Sequence, residues 1–225
     1  MSDLLPFSLL GALLGLDVVS FPQAMISRPI VAATLGGALA GDAASGLLVG
    51  VLLEMIALET LPVGASRYPE WGTASVVGGA LFAAAGSERA GALVLSVLAA
   101  VATAWAGGWS MYALRRLNGA WAKRALPALD AGAQGAVVGL QLRGMGADLL
   151  RGALLTFIAL LLFRPLLAIL VGRWALPHNL SLAAVAALSA AVAAGAAWRL
   201  GHVASGARWY LASGLVIGLV ALVLL

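Results

Sequence analysis

Between Gln23 and Gly64 the chain is almost continuously apolar, yet it carries Gln23, Arg28, Asp42, Glu54 and Glu59. Pro29 and Pro62 bound its apolar runs, and Gly41-Asp42 breaks them. This combination restricts the fold severely. The apolar runs need lipid or a dry interior, and a charge near a bilayer centre costs at least about 2.5–3.5 kcal/mol on insertion scales. Each such group must therefore meet a partner, water or a substrate.

The solvent follows from composition. Hydrophobic residues make up 63% of the 225 positions and charged residues 10%, with a mean hydropathy of +1.05. A soluble domain holds about 45–50% apolar and about 25% charged residues, so this chain is expected in a membrane. The expected class is all-α. Backbone polar groups in lipid must pair within a helix or around a closed barrel. Barrel strands alternate apolar and polar residues over about ten positions. Here the runs are long and unalternating, as in Ala153–Val171 and Leu180–Ala197. The expectation is a multi-span helical bundle, with broken helices or re-entrant hairpins in the N-terminal third.

Along the chain, Leu4–Val19 is apolar but short for a span, with Asp17 near its end and a break expected at Phe21-Pro22. Met1-Ser2-Asp3 puts an acid where a cleavable signal would carry basic residues, so the first helix is expected to be retained. Ile30–Ala40 and Gly46–Leu61 read as a re-entrant hairpin plus a span, or as two tilted helices. Short hydrophobic segments interrupted by Gly or Pro point to a transporter's binding site. Residues 62–72 form a polar break, Thr73–Ala85 a short Gly-rich run, and Ala90–Leu114 a span with Trp105, Trp109 and Tyr112 as interfacial anchors.

Arg115, Arg116, Lys123 and Arg124 are the densest basic cluster and are expected in the cytoplasm. Ala125–Gly146 reads either as an interfacial segment or as a polar-lined crossing. If residues 115–151 stay on one side, residues 199–208 return to that side; one extra crossing reverses this. Arg164-Pro165 is expected to interrupt the Ala153–Val171 span, and its echo of Arg28-Pro29 reads as coincidence. The whole chain reads as one membrane domain, with short broken helices over 4–86 and longer spans over 90–225.

The chemistry-bearing residues are few. Glu54 and Glu59 differ by about 140° around a regular helix. They do not form one paired-carboxylate site unless the helix unwinds near Pro62. Each suits hydrogen bonds from sugar hydroxyls, or a cation such as Arg28. Gln23, Ser27 and Arg28 precede Pro29, a favoured first helical residue, where free N–H groups suit a polar ligand. Asp42 reads as a turn residue. His178 and His202 lack acidic neighbours at ligand spacing, and the chain has no cysteine. No metal, no cofactor and no catalytic residue is expected. The net charge of +4 forms no basic stripe interleaved with aromatics, so no nucleic-acid partner is expected.

One ordered set of residues carries a family resemblance. It comprises Gln23, Met25-Ile26-Ser27-Arg28-Pro29-Ile30-Val31, Leu39 to Asp42, Gly46-Leu47-Leu48-Val49-Gly50, and Leu53-Glu54 through Leu58 to Pro62-Val63-Gly64-Ala65. The set resembles the N-terminal pattern of the IIC component of the mannose/sorbose family of the bacterial sugar phosphotransferase system. Glu59 departs from it, standing where the family has a small or apolar residue, and Ser66-Arg67-Tyr68-Pro69-Glu70-Trp71 is more charged and aromatic.

The resemblance implies a sugar-translocating permease subunit in the bacterial inner membrane. It implies a IID-type membrane partner and soluble IIA and IIB phosphocarriers, with self-association into a homo-oligomer also expected. It further implies that Gln23, Ser27, Arg28, Glu54 and Glu59 line the substrate site. Two other readings stay open: a repurposed membrane scaffold without transport, and a proton-linked transporter using Glu54 or Glu59.

Overall fold

The computed structural model describes residues 2–60, 67–203 and 206–224. Every regular element among them is helical. A short 3-10 turn, Ser2–Leu4, leads into α1 (Leu5–Asp17), α2 (Pro29–Leu39), α3 (Ala43–Ala57) and α4 (Trp71–Ala85). Four longer helices follow: α5 (Ala92–Asp130), α6 (Gln134–Val171), α7 (His178–Val203) and α8 (Ala207–Leu224). The Pro62-Val63-Gly64-Ala65 close of the family pattern lies outside the described residues.

Local chemistry sets the boundaries of the short helices. Arg28 is extended (φ −60°, ψ 140°) and Pro29 opens α2, as the clash before proline requires. Gly41, with φ +97°, turns the chain. Asp42 then caps α3 by accepting from the Ser45 N–H at 3.0 Å, so it is the turn residue expected. Glu70 caps α4 in the same way, accepting from the Thr73 N–H at 3.1 Å. With 11 to 15 residues each, these four helices are about 16–22 Å long at 1.5 Å per residue. A hydrocarbon core is about 30 Å thick, so none of the four is long enough to span it alone.

Glycine and alanine let these short helices pack backbone to backbone. A Cβ on Gly79 of α4 would lie 2.1 Å from the Ala33 carbonyl oxygen of α2. One on Gly46 of α3 would lie 2.4 Å from that same oxygen. Contacts of Gly46 with Gly37, and of Gly50 with Ile30, make α2 and α3 an antiparallel hairpin. Small residues at helix contacts are the rule where lipid removes the hydrophobic drive between helices. α4 is buried without a break from Gly72 to Phe82. It touches α1, α2, α3, α5 and α6 and is the axis of the bundle.

α5, α6 and α7 are long and apolar enough to cross a membrane. The apolar window of α5 is 56% buried, against 22% for α6 and α7, so α5 is the inner span. Ala125–Gly146 follows neither sequence expectation. It is the end of a helical hairpin, in which α5 and α6 continue past the bundle and turn at Gly132 (φ +73°). A 39-residue helix is about 58 Å long, well beyond a bilayer, and this explains how the polar residues around 130–143 avoid lipid. The expected interruption at Arg164-Pro165 is absent, since α6 runs through both. The hairpin keeps residues 115–151 on one side, and α7 returns the chain to that side. α8 packs on α7 alone among the described residues.

Candidate functional site

The end of the bundle nearest the 115–151 hairpin holds a cavity of about 600 Å³. Its wall comes from the end of α1, the irregular segment 18–28, the end of α3, residues 68–72 and Arg115 of α5. Irregular backbone at such depth must find internal hydrogen-bond partners. Asp17 provides them. Its carboxylate, 2% exposed, accepts from the Ala24 N–H at 2.6 Å and the Ser27 N–H at 2.9 Å. Gln23 and Met25 lie in the left-handed region (φ 58° and 62°), a strained setting for residues with side chains. Asp17 therefore holds the segment in a shape it would not adopt unaided.

Gln23, Ser27 and Arg28 all line this cavity. The Gln23 side-chain N–H donates to the Val19 carbonyl at 2.7 Å, which fixes the amide. Arg28 pairs with Glu54. The second Glu54 oxygen accepts from the Ile30 N–H at 3.2 Å, a free amide at the start of α2. A carboxylate there also meets the positive end of the helix dipole. Glu54 thus stands behind Arg28 and aims it, outside the cavity wall. Glu59 goes elsewhere, pairing with Arg199 of α7 at an exposed position. Four of the five residues singled out by sequence are brought together, and Glu59 is separated from them.

Several residues at this end are not apparent from their sequence neighbourhood. Tyr68 accepts a hydrogen bond from Arg115 at 2.8 Å, and Arg67 stacks over Trp109 at 3.8 Å from the ring centroid. Trp71 Nε1 and Thr60 Oγ1 are buried without a hydrogen-bond partner, and both residues line the cavity. An unpaired buried donor costs about 1–3 kcal/mol, which a polar ligand can recover. Gly107 and Gly108 of α5 make room for the loop carrying Tyr68. A Cβ on Gly108 would sit 2.4 Å from the Tyr68 carbonyl oxygen.

Behind Trp71 lies a buried charge cluster. Glu70 and Asp148 are fully buried. Arg151 donates to Asp148 at 2.8 Å and to Ser110 at 3.2 Å, and its Nη1 is 3.7 Å from Glu70. Ser20 adds a hydrogen bond to Asp148. The cluster ties α1's end, α4, α5 and α6 together. Its traces in sequence are Glu70-x-x-Thr73, a helix-start pattern, and Asp148-x-x-Arg151, one helical turn apart. Neither trace reveals that the other exists.

Comparison with known proteins places this arrangement. The model of the family "PTS system sorbose-specific IIC component" matches residues 4–183. The chain belongs to that family. Over 65 residues it is 38% identical to the mannose-specific EIIC component of the phosphotransferase system of Escherichia coli K12. It is equally similar to the protein of the same name in Shigella flexneri. The matched stretch is 29% of this chain and 24% of either relative.

Two solved structures extend the likeness in fold over 99% of this IIC-family chain, both at 21% identity. One, titled only as a membrane protein, gives a TM-score of 0.75 over 87% of that chain. The other, a cryo-EM structure of the mannose transporter ManYZ with microcin E492, gives 0.61 over 86%. The chain is thus an all-α, multi-pass membrane protein of the mannose/sorbose IIC family.

Proposed function

We propose that this chain is the sugar-translocating subunit of a mannose/sorbose-type phosphotransferase system. It acts in the bacterial inner membrane with a IID-type membrane partner. Soluble IIA and IIB proteins carry the phosphate that the entering sugar receives. The 225 residues form one membrane domain, with residues 4–86 as its core. No covalent step is assigned to this chain's own side chains.

The observation that carries this reading is the cavity. Gln23, Ser27 and Arg28 offer fixed polar groups, Tyr68 and Trp71 offer aromatic surface, and Trp71 Nε1 and Thr60 Oγ1 are buried without partners. Sugar rings present that chemistry in reverse, with hydroxyls around their edge and C–H groups on their faces. Ligand sites of this kind are concave, with a few placed polar groups among apolar and aromatic ones. Glu54 supports the site by orienting Arg28, and Asp17 by holding segment 18–28.

The test uses the chain co-produced with a IID-type subunit, purified together and titrated with mannose and with sorbose. Binding is read from tryptophan fluorescence and calorimetry. Trp71→Phe keeps an aromatic face but removes the N–H together with the five-membered ring. It should weaken binding by about tenfold or more, about 1.4 kcal/mol from the lost hydrogen bond plus the lost ring contact. No saturable binding of either sugar by the intact pair would sink the proposal. Stable pairing without binding would favour a scaffold. Uptake driven by a pH gradient with no phosphate donor would favour a proton-linked transporter.

A further inference from the structure

A second pair of hollows lies at the other end of the bundle. The larger, about 420 Å³, runs between Phe7 of α1, Leu39 of α2, Leu81 of α4 and Leu167 of α6. A smaller one, about 230 Å³, lies against Leu161 and Pro165. The two share Asp3, Leu4, Leu160 and Arg164. Together they form a forked apolar groove, with charged groups where the branches meet.

Arg164 is the unusual part. It sits seven residues before the end of α6, about 10 Å along the helix, on the span with the highest hydropathy of the three, 2.6. A cation at that depth needs a counter-ion or must reach the surface. Arg89, in the turn between α4 and α5, lines the same groove. Neither arginine has a carboxylate partner among the described residues. The groove wall carries the two arginines and one acid, Asp3. Two guanidinium groups on one groove suit a phosphodiester, since each binds phosphate oxygens through two parallel hydrogen bonds.

We propose that this groove binds one anionic diacyl phospholipid. Its phosphate lies between Arg89 and Arg164, and its acyl chains follow the two apolar branches. The lipid comes from the leaflet opposite the 115–151 hairpin. It closes the gap between α6 and the α2–α4 core, so it acts as a structural ligand at the far end from the sugar cavity.

Native mass spectrometry of the purified full chain tests this, with phosphatidylglycerol or phosphatidylcholine added in equal amounts. The expected result is a one-to-one complex with phosphatidylglycerol, at least about tenfold preferred over phosphatidylcholine, and a rise in Tm with the anionic lipid only. R89Q/R164Q should remove both the preference and the Tm rise. R116Q/R124Q, at the opposite end, should leave both unchanged. Helical content by circular dichroism identifies a double variant that fails to fold, in which case each single variant should show about half the effect. Equal retention of both lipids overturns the proposal, as does full phosphatidylglycerol binding by folded R89Q/R164Q. Saturation by inorganic phosphate alone, with the same Tm rise, shows a free-anion site and also overturns it.

Discussion

The chain's 28 glycines behave differently in two regions of the molecule. From α2 to the middle of α5 most of them touch another backbone. Gly36, Gly37, Gly46, Gly50, Gly72, Gly79, Gly107 and Gly108 would each place a Cβ within 3 Å of another element. Beyond Asn118 the pattern reverses. Gly119, Gly135, Gly139, Gly146, Gly195 and Gly201 have nothing within 4 Å, and among the described glycines there Gly152, packed on α1, is the one whose Cβ would come within 3 Å of another atom. The first region is an interior built from helices too short to cross alone. The second is a set of long helices whose outer faces meet only what surrounds the protein. One residue type thus serves as a contact in one region and as a bare surface in the other.

The largest expected effect comes from filling an interior contact. Gly79→Val would drive a branched side chain into the Ala33 carbonyl, 2.1 Å from the new Cβ. Backbone cannot step aside as a side chain does, so the cost should lie well above the about 1–3 kcal/mol usual for overpacking and be enough to prevent folding. The expected outcome is little or no monodisperse protein after detergent extraction. A normal yield with unchanged Tm would mean that α2 and α4 do not meet as closely as described.

Arg151→Met should come next. It leaves Glu70 and Asp148 buried without their cation, and breaking a buried pair by removing one partner costs about 3–5 kcal/mol. The loss should be read from thermal unfolding, and Arg151→Met with Glu70→Gln and Asp148→Asn should recover much of it. Failure of that rescue would locate the cost in lost packing of the long arginine stem rather than in charge.

The two acids of α3 and its exit sharpen the comparison within the first region. Glu54 orients Arg28 beside the cavity, with side chains 21% and 29% exposed. Glu59 pairs with Arg199 at 42% and 58% exposure. Glu54→Gln should lower sugar uptake several-fold and keep the fold. Glu59→Gln should change stability by no more than about 1 kcal/mol, as exposed ion pairs do, and leave uptake intact. Equal losses of uptake would return Glu59 to the site.

Sequence reveals those parts of the molecule whose chemistry is local. The membrane class follows from composition, and the Pro29 helix start, the Asp42 turn and the Gln23–Arg28 segment each follow from a few neighbouring residues. A pairing of Arg28 with one of the two acids of the stretch is legible too, because unpaired charges in one apolar segment point at each other; that Glu54 and not Glu59 is the partner comes from the structure. The Glu70–Arg151–Asp148 cluster is not. Glu70 lies 78 and 81 positions from Asp148 and Arg151, by difference of their numbers, and each has an ordinary local role: Glu70 caps α4, while Asp148 and Arg151 pair one turn apart within α6. Asp17 was hidden similarly, since its partners are backbone amides of no fixed residue type. The 115–151 hairpin escaped because polar residues in a helix look alike whether they lie along a membrane surface or beyond it.

The smallest effect is expected where the comparison began. Gly139 lies within α6, near the tip of the hairpin, where an added methyl group would meet nothing within 4 Å. Gly139→Ala should stabilise the isolated chain by up to about 1 kcal/mol, since alanine gains helix propensity and meets no obstacle. Measured again with a IID-type subunit present, the same change separates two kinds of bare surface. An unchanged complex means that this face meets water or lipid headgroups. A complex that weakens while the isolated chain gains stability means that another subunit packs against the glycine. The open region would then be interior of the same kind as the first, completed by a second chain.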